Sequence, residues 1–308
     1  MLKSDQINFD AVQKNDEKPL VSIVIPSYNH AHFLGQALQS VLDQTYGKWE
    51  VIVVDNYSSD GTRCLIKKYL DPRISFHQIN NHGVIARSRN VGIGFAKGEW
   101  IAFLDSDDWW EKDKLETCLL TIDNQTDLVY HDLKIFSQEF RLWKPRKIKS
   151  RQLQQPITHD LLVKGNGIAT SSVMVRTKLI KSIGGMDERP EMAAAEDYNT
   201  WLKLSKLTTG FKHCAHSLGY YRIHGQASSK KDMTIPWRYA VAEFIHELSP
   251  SQKLGYEADV RYAKARFLYT QGDYPNARAD LLFALKHGKR ELKPKIIFML
   301  LVTLSLSR

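Results

Sequence analysis

Four short apolar runs recur through the first third of the chain: VSIVIP at 21–26, EVIVVD at 50–55, ISFHQ at 74–78 and EWIAFLD at 99–105. The longer ones are continuous rather than alternating, the pattern of strands buried on both faces in a parallel sheet. Between them the apolar positions change to helical spacing. Phe33, Leu34, Ala37, Leu38, Val41 and Leu42 share one face of a helix predicted over 32–43, and 86–96 reads as another. SSDGT supplies a turn and a helix start before 63–70. Strand and helix alternate throughout, which predicts an α/β fold with a βαβ-type, mostly parallel sheet flanked by helices.

Past residue 113 the pattern loosens. Strands are expected at 128–130 and 172–176, and helices at 178–183 and 198–206. From about 251 the chain turns all-helical. Tyr262, Ala263, Ala265, Phe267 and Leu268 precede QGDYPNARADLLFALKHG, in which Ala277, Leu281, Leu282 and Leu285 form one stripe. The GDYPNA turn resembles that of a single tetratricopeptide helix pair. One such unit cannot bury its apolar face alone, so it is expected to pack on the preceding domain or on a partner. Residues 1–18 read as a polar, mobile tail closed by Pro19.

Composition is that of an ordinary soluble globular chain, with 43% hydrophobic and 25% charged residues over 308 positions. The formal net charge of +9 points to an anionic partner. Nucleic acid, a phosphorylated substrate or an acidic membrane surface would each serve. Much of the excess lies in two runs, 144–151 and 286–295, and such runs are more often solvated faces than sites. Cys64, Cys118 and Cys214 are far apart without CxxC spacing, so neither a disulfide framework nor a zinc site is expected and the cytoplasm is the default compartment. No secretory h-region is visible, and the longest apolar stretch near the C-terminus, 296–306, is about half of what spans a bilayer.

The chemistry concentrates in FLDSDDWW at 103–110. Asp105, Ser106, Asp107 and Asp108 follow a strand end, the edge at which open α/β sheets bind ligands. Clustered carboxylates repel unless a cation or many donors compensate. A hard divalent ion bridging to a diphosphate would do so, whereas a helix-capping loop is the alternative. Asp55 ends the second run in the same way, and Ser27, Tyr28 and Asn29 follow the first. No GxGxxG loop follows the first strand and no GxxxxGK[ST] occurs, which counts against a dinucleotide dehydrogenase and a P-loop nucleotidase.

Taken in order, VSIVIPSYNH, EVIVVDNYSSDGT and HGVIARSRNVGIGFAKGEWIAFLDSDDWW resemble the inverting glycosyltransferase family 2. TSSVMVR at 170–176, SIGGMDE at 182–188, AEDYNTW at 195–201 and YYRIHGQASS at 220–229 extend the likeness over about residues 20–230. The resemblance implies the GT-A fold. It implies a catalytic domain over 19–235, with a nucleotide half at about 19–110 and an acceptor half at about 111–235, followed by a helical region at 236–308. It also implies roles. Pro26, Tyr28 and Asn29 would line the nucleobase pocket, with Asp55 bonding the base and Arg89 approaching the diphosphate or base. Asp105, followed by Ser106, would contact ribose or sugar hydroxyls. Asp107, Asp108 and His224 would hold Mn²⁺ or Mg²⁺. Asp197 of the Glu196–Asp197 pair would be the general base toward the acceptor hydroxyl. Trp109 would stack on the sugar, with Trp201 in the core. Two segments depart from the family pattern: Asp-Asn-Tyr-Ser-Ser-Asp stands where many members have Asp-Asp-Gly-Ser-x-Asp, and HGVIARSRN is one residue longer than the commoner form.

Members of this size commonly build bacterial surface polysaccharide, such as O-antigen, capsule or lipopolysaccharide. The implied donor is a UDP-hexose or UDP-N-acetylhexosamine, and the implied acceptor a glycan or an undecaprenyl-diphosphate-linked saccharide at the inner face of the cytoplasmic membrane. Lys286, Lys289, Arg290, Lys293 and Lys295 precede IIFMLLVTLSL, so peripheral membrane contact through the C-terminal segment is one expectation and a helix docked on the preceding pair the other. Two other readings are a catalytically inactive scaffold and a nucleic-acid-binding protein. No nucleic-acid partner is expected, because no zinc finger or RNA-binding aromatic signature accompanies the basic charge.

Overall fold

The computed structural model describes residues 18–137, 147–224 and 232–306, with side chains to 303. The expected tail to 17, the start of the first basic run at 144–146 and the end of YYRIHGQASS from 225 lie outside the described residues. Strands β1 (Val21–Ser27), β2 (Trp49–Asp55), β3 (Ile74–Gln78) and β4 (Trp100–Phe103) pair in parallel in the order β3-β2-β1-β4. All seven residues of β1 are buried, as a continuous apolar run requires. Helices α1 (Ala31–Leu42), α2 (Thr62–Ile66) and α3 (Ile85–Phe95) form the crossovers. Of these, α3 lies so close to the sheet that a Cβ on Gly92 would come within 2.4 Å of the Val24 side chain. That contact explains the glycine in RNVGIGF. The second crossover helix is shorter than its sequence predicts: five residues, ending at Ile66.

Beyond β4 the sheet is mixed. It continues β4-β8-β6-β9-β5, with β5 (Trp109–Trp110), β6 (Leu128–Ser137), β8 (Met174–Arg176) and β9 (Phe211–Ile223), while β7 (Lys147–Ile148) pairs off β6. Here β8 runs antiparallel to β4, and β6 parallel to β9 with two register shifts. Two differences from expectation follow from burial. The strand expected at 128–130 runs for ten residues; His131 and Asp132 interrupt its apolar run, and its C-terminal half is only partly covered. The thirteen-residue β9 gives no apolar signal because its burial is irregular along its length. Between these strands lie α4 (Lys114–Thr121), α5 (Ile157–Lys164), α6 (Thr177–Ser182) and α7 (Glu196–Ser205). Trp201 on α7 is fully buried, as expected of a core residue, and Trp110 is buried with its indole N–H donated to the Ser171 carbonyl at 2.8 Å.

The C-terminal region comprises α8 (Thr234–Val241), α9 (Pro250–Thr270), α10 (Tyr274–His287) and α11 (Lys293–Leu306). A capping box of Ser249 and Gln252 starts α9, and the Asp273 side chain caps α10. Ala265, Ala277, Leu281, Ala284 and Ile296 close a small core between α9, α10 and α11. The other side of α9 packs on α5 and α8, so the helix pair rests on the sheet domain. Among the described residues no helix is long and apolar enough to cross a membrane. The three cysteines are unpaired.

One buried charge stands apart from the cleft. Lys114 is fully buried and its Nζ has no hydrogen-bond partner; it lies 3.8 Å from the Trp110 ring centroid. Burial brings its pKa down to about 8, against weak opposition from Cys118 and Cys214. A lysine pKa below its unfolded value means that the unfolded chain holds more protons between about pH 8 and 10.5, so this group's cost is full below pH 8 and fades as pH rises through that window. Lys114→Met is expected to raise stability at pH 7 by roughly 2 kcal/mol. Urea unfolding at pH 7 and pH 10 should show that gain shrinking at the higher pH.

Candidate active site

The loops after β1, β2 and β4 meet at the carboxyl edge of the parallel half. They enclose a cavity of about 450 Å³ whose wall includes Pro26, Tyr28, Asn56, Asn81, Ser106 and Asp107. Its rim is pinned by cross-loop hydrogen bonds. The Asn29 N–H donates to Ser58 Oγ at 2.8 Å, and the Ser59 N–H donates to Asn29 Oδ1 at 2.9 Å. Asn29 therefore joins two loops instead of lining the cavity. Asp55 is likewise not on the wall. It is fully buried, and its carboxylate accepts the Ser58 N–H at 2.9 Å, the Ser58 hydroxyl at 2.5 Å and Gln78 Nε2 at 3.1 Å. Its carboxylate closes the turn after β2. That turn places Tyr57 in left-handed backbone (φ 48°) with its side chain 63% exposed, at the position where the family pattern has glycine. A non-glycine residue there costs on the order of 1 kcal/mol.

A second cavity, about 570 Å³, adjoins the first across Asp105 and is lined by Arg89, Asn166, Thr170, Glu196 and Asp197. Arg89, from α3, is 3% exposed. It donates to Glu196 Oε1 at 2.6 Å and to Asp105 Oδ1 at 2.7 Å. Burial disfavours its charge, but Asp105 and Glu196 more than offset that and hold its pKa above the usual arginine value. Arg89 thus lines the second cavity. Glu196 and Asp197 form the first turn of α7. Asp197 accepts the Tyr198 N–H at 2.6 Å, the Thr170 hydroxyl at 3.0 Å and Asn166 Nδ2 at 3.4 Å. Burial, and then the neighbouring Glu196, push its pKa up to about 7 against the pull of Arg89 and Thr170.

The acidic loop after β4 distributes its carboxylates in different directions. Asp107 lines the first cavity, and its Oδ2 lies 2.7 Å from His224 Nε2. Asp108 instead lines the second cavity. It is 2% exposed, accepts the Arg222 N–H at 3.0 Å, and burial followed by the charges of Asp107 and Asp105 drives its pKa well upward. Among the described residues no three His, Cys, Asp or Glu side chains converge on one point. Of Asp107, Asp108 and His224, Asp107 and His224 are in direct contact. Trp109 packs beside this loop. One ring face stacks on Tyr220 (4.7 Å, 9°), the Arg222 guanidinium lies 4.6 Å from its centroid, and it lines neither cavity.

The arrangement of two adjoining cavities under the carboxyl edge, one carrying the acidic loop and the other the Glu-Asp pair, agrees with an independent comparison. The model of Glycosyl transferase family 2 matches residues 22–184. The chain belongs to glycosyltransferase family 2. It is 34% identical over 188 residues to the Escherichia coli enzyme WfgD, UDP-Glc:α-D-GlcNAc-diphosphoundecaprenol β-1,3-glucosyltransferase, covering 61% of this chain and 70% of WfgD. In fold it is similar to TarS of S. aureus solved with UDP-GlcNAc, at TM-score 0.63 and 20% identity over 93% of this chain and 88% of that one. It is also similar to the Pyrobaculum calidifontis mannosyltransferase PcManGT solved with GDP-Man and Mn²⁺, at TM-score 0.59 and 19% identity over 94% and 81%. The GT-A fold and a glycosyltransferase activity follow.

Several residues of this family 2 site escape a reading by motif. His30 lies beside the first cavity with Nδ1 2.8 Å from Ser106 Oγ, and burial lowers its pKa against the attraction of Asp107. Asn81 and Asn56 are joined by a backbone-to-side-chain bond of 2.9 Å on the same wall. Arg222 ties β9 to the acidic loop by donating Nε to the Asp107 carbonyl at 2.9 Å. Thr170 and Asn166 reach Asp197 from a segment with no strong periodicity. His30, Asn56, Thr170 and Arg222 had a sequence signal, since each lies inside a quoted motif, whereas Asn81 and Asn166 lie in none.

Replacing Glu196 by Gln removes the like charge beside Asp197 and leaves Arg89 as the dominant neighbour. The Asp197 titration is then expected to move below its wild-type midpoint of about 7. Carboxyl ¹³C NMR titration of both proteins would check the direction.

Proposed function

We propose that this glycosyltransferase moves a hexose or N-acetylhexosamine from a UDP-linked donor, with inversion, to a hydroxyl of a lipid-linked saccharide in bacterial surface-polysaccharide synthesis at the inner face of the cytoplasmic membrane. The observation that carries this reading is Asp197: a carboxylate tuned to about 7 in a cavity that adjoins the acidic-loop cavity across Asp105. Nucleotide and sugar bind in the first cavity, between Pro26, Tyr28 and Ser106. The acceptor hydroxyl enters the second, and Asp197 takes its proton as the oxygen attacks the anomeric carbon. Asp105, which lines both cavities, contacts the transferred sugar. Arg89 and Glu196 position it against α7.

A UDP donor is supported by WfgD, whose name specifies UDP-Glc, and by the UDP-GlcNAc complex of TarS. WfgD is also named for an undecaprenyl-diphosphate-linked acceptor. A carboxylate on the first cavity in contact with an imidazole offers donors that would fit a divalent ion. Asp107 and His224 would hold Mn²⁺ or Mg²⁺, which would supply charge neutralisation to the leaving diphosphate. Residues 19–235 form the catalytic domain in this reading, and 236–308 a helical region that supports its acceptor half.

Two measurements test the assignment. With the pKa of Asp197 near 7, the base is ionised above that value, so turnover should rise as pH increases through about 7 and then level off. Asp197→Asn should lower kcat by ~10²–10⁴-fold. Near wild-type turnover in that variant would remove Asp197 as the base. Calorimetry with UDP, GDP and dTDP, with Mn²⁺ and then EDTA, should show metal-dependent binding of UDP alone, lost in Asp107→Ala and kept in Asp197→Asn.

A further inference from the structure

The tip of the helical region combines two features that a water-facing surface does not need. Helix α11, KPKIIFMLLVTLSL, is apolar on every side. One face is used internally: Ile296 and Thr303 are fully buried, and Met299 and Leu300 pack on the α9–α10 core. The opposite face is not. Ile297 is 47% exposed, Phe298 65% and Leu301 60%, and at 100° per residue these three fall on one stripe about a turn beyond Lys295. A helix apolar all round is ordinarily covered on both sides.

The charge of the segment that leads into that stripe is mostly positive. Lys286, Arg290, Lys293 and Lys295 form no ion pair among the described residues, whereas Lys289, between them, is bound to Asp259 at 2.6 Å. Glu291 is the only acid in 286–295. Unpaired cations next to an exposed apolar stripe, on a helix too short to span a bilayer, fit an anionic lipid surface and not a protein groove.

We propose that α11 and the 286–295 turn dock this protein on an anionic bilayer, with Ile297, Phe298 and Leu301 entering the interface and the four cations meeting lipid phosphates. The biological purpose rests on the lipid-linked acceptor reading above, since docking would hold the cleft near an acceptor confined to the membrane. The physical claim does not need that reading.

Sedimentation of the full chain with phosphatidylglycerol vesicles and with phosphatidylcholine vesicles tests it, in the absence of any sugar substrate. Wild type should partition onto the anionic vesicles at low salt and be released by high salt. Each cation removed should weaken partition by on the order of fivefold. Phe298→Ser with Leu301→Ser, and separately Lys293→Glu with Lys295→Glu, should each lower partition at least tenfold. Both changes are at exposed or partly exposed sites, and an unaltered melting profile and UDP affinity would show that the fold is kept. Equal partition of wild type and the Phe298/Leu301 variant, or no partition of wild type, overturns the proposal. So does a wild-type dimer in sedimentation velocity that the Phe298/Leu301 variant converts to monomer, because that face would then belong to a second copy. Vesicle binding without transfer from any UDP-sugar would remove the functional reading alone, and transfer to a soluble acceptor without vesicle binding would remove the docking alone.

Discussion

The buried guanidinium of Arg89 is the constraint around which the cleft is organised. It comes from α3, in the parallel half of the sheet, and it is held by Asp105 after β4 and by Glu196 at the start of α7. The two carboxylates supply the opposite charge that offsets the cost of burying the arginine. Losing one partner of such a pair costs ~3–5 kcal/mol, because the remaining charge is left uncompensated. The three groups therefore hold two remote parts of the chain in one register.

That register has a chemical consequence. Asp197 sits next to Glu196, so whatever fixes Glu196 also fixes the environment of Asp197. Burial and the Glu196 charge raise its pKa, and Arg89, Thr170 and the Tyr198 amide limit the rise. The balance leaves a carboxylate able to take a proton near neutrality. Asp105 lies on both cavities, so the same ion network aligns the acidic-loop side with the Glu-Asp side. The acidic loop is organised by a second arginine, Arg222, which turns Asp108 inward and leaves Asp107 facing the first cavity beside His224.

Much of the parallel half was legible along the chain, and for a simple reason. Strands buried on both faces must be apolar at every position, so VSIVIP and EVIVVD announce themselves, and Ile74–Gln78 has the bounds its sequence predicts. The mixed half was less legible because partial burial removes the pattern: β9 alternates irregularly between covered and open positions. The site divided in the same way. Pro26, Tyr28, Asp105, Ser106, Asp107, Glu196 and Asp197 line the two cavities. Asp55, Asn29 and Trp109 do not, because turn closure, loop pinning and stacking on Tyr220 engage them first.

The amino-acid sequence by itself determined the order of strands and helices in the parallel half, the family and the clustering of acidic residues at a strand end, since local periodicity and contiguous motifs carry all three. Only the tertiary structure decided which way each acid points. Asp105, Asp107 and Asp108 are nearly adjacent and chemically alike, and they differ only in what the fold brings to them: Arg89, His224 and the Arg222 amide, from sixteen, 117 and 114 positions away. The role of a carboxylate is set by burial and by the charges and donors around it, and those are properties of packing that no local stretch of sequence contains.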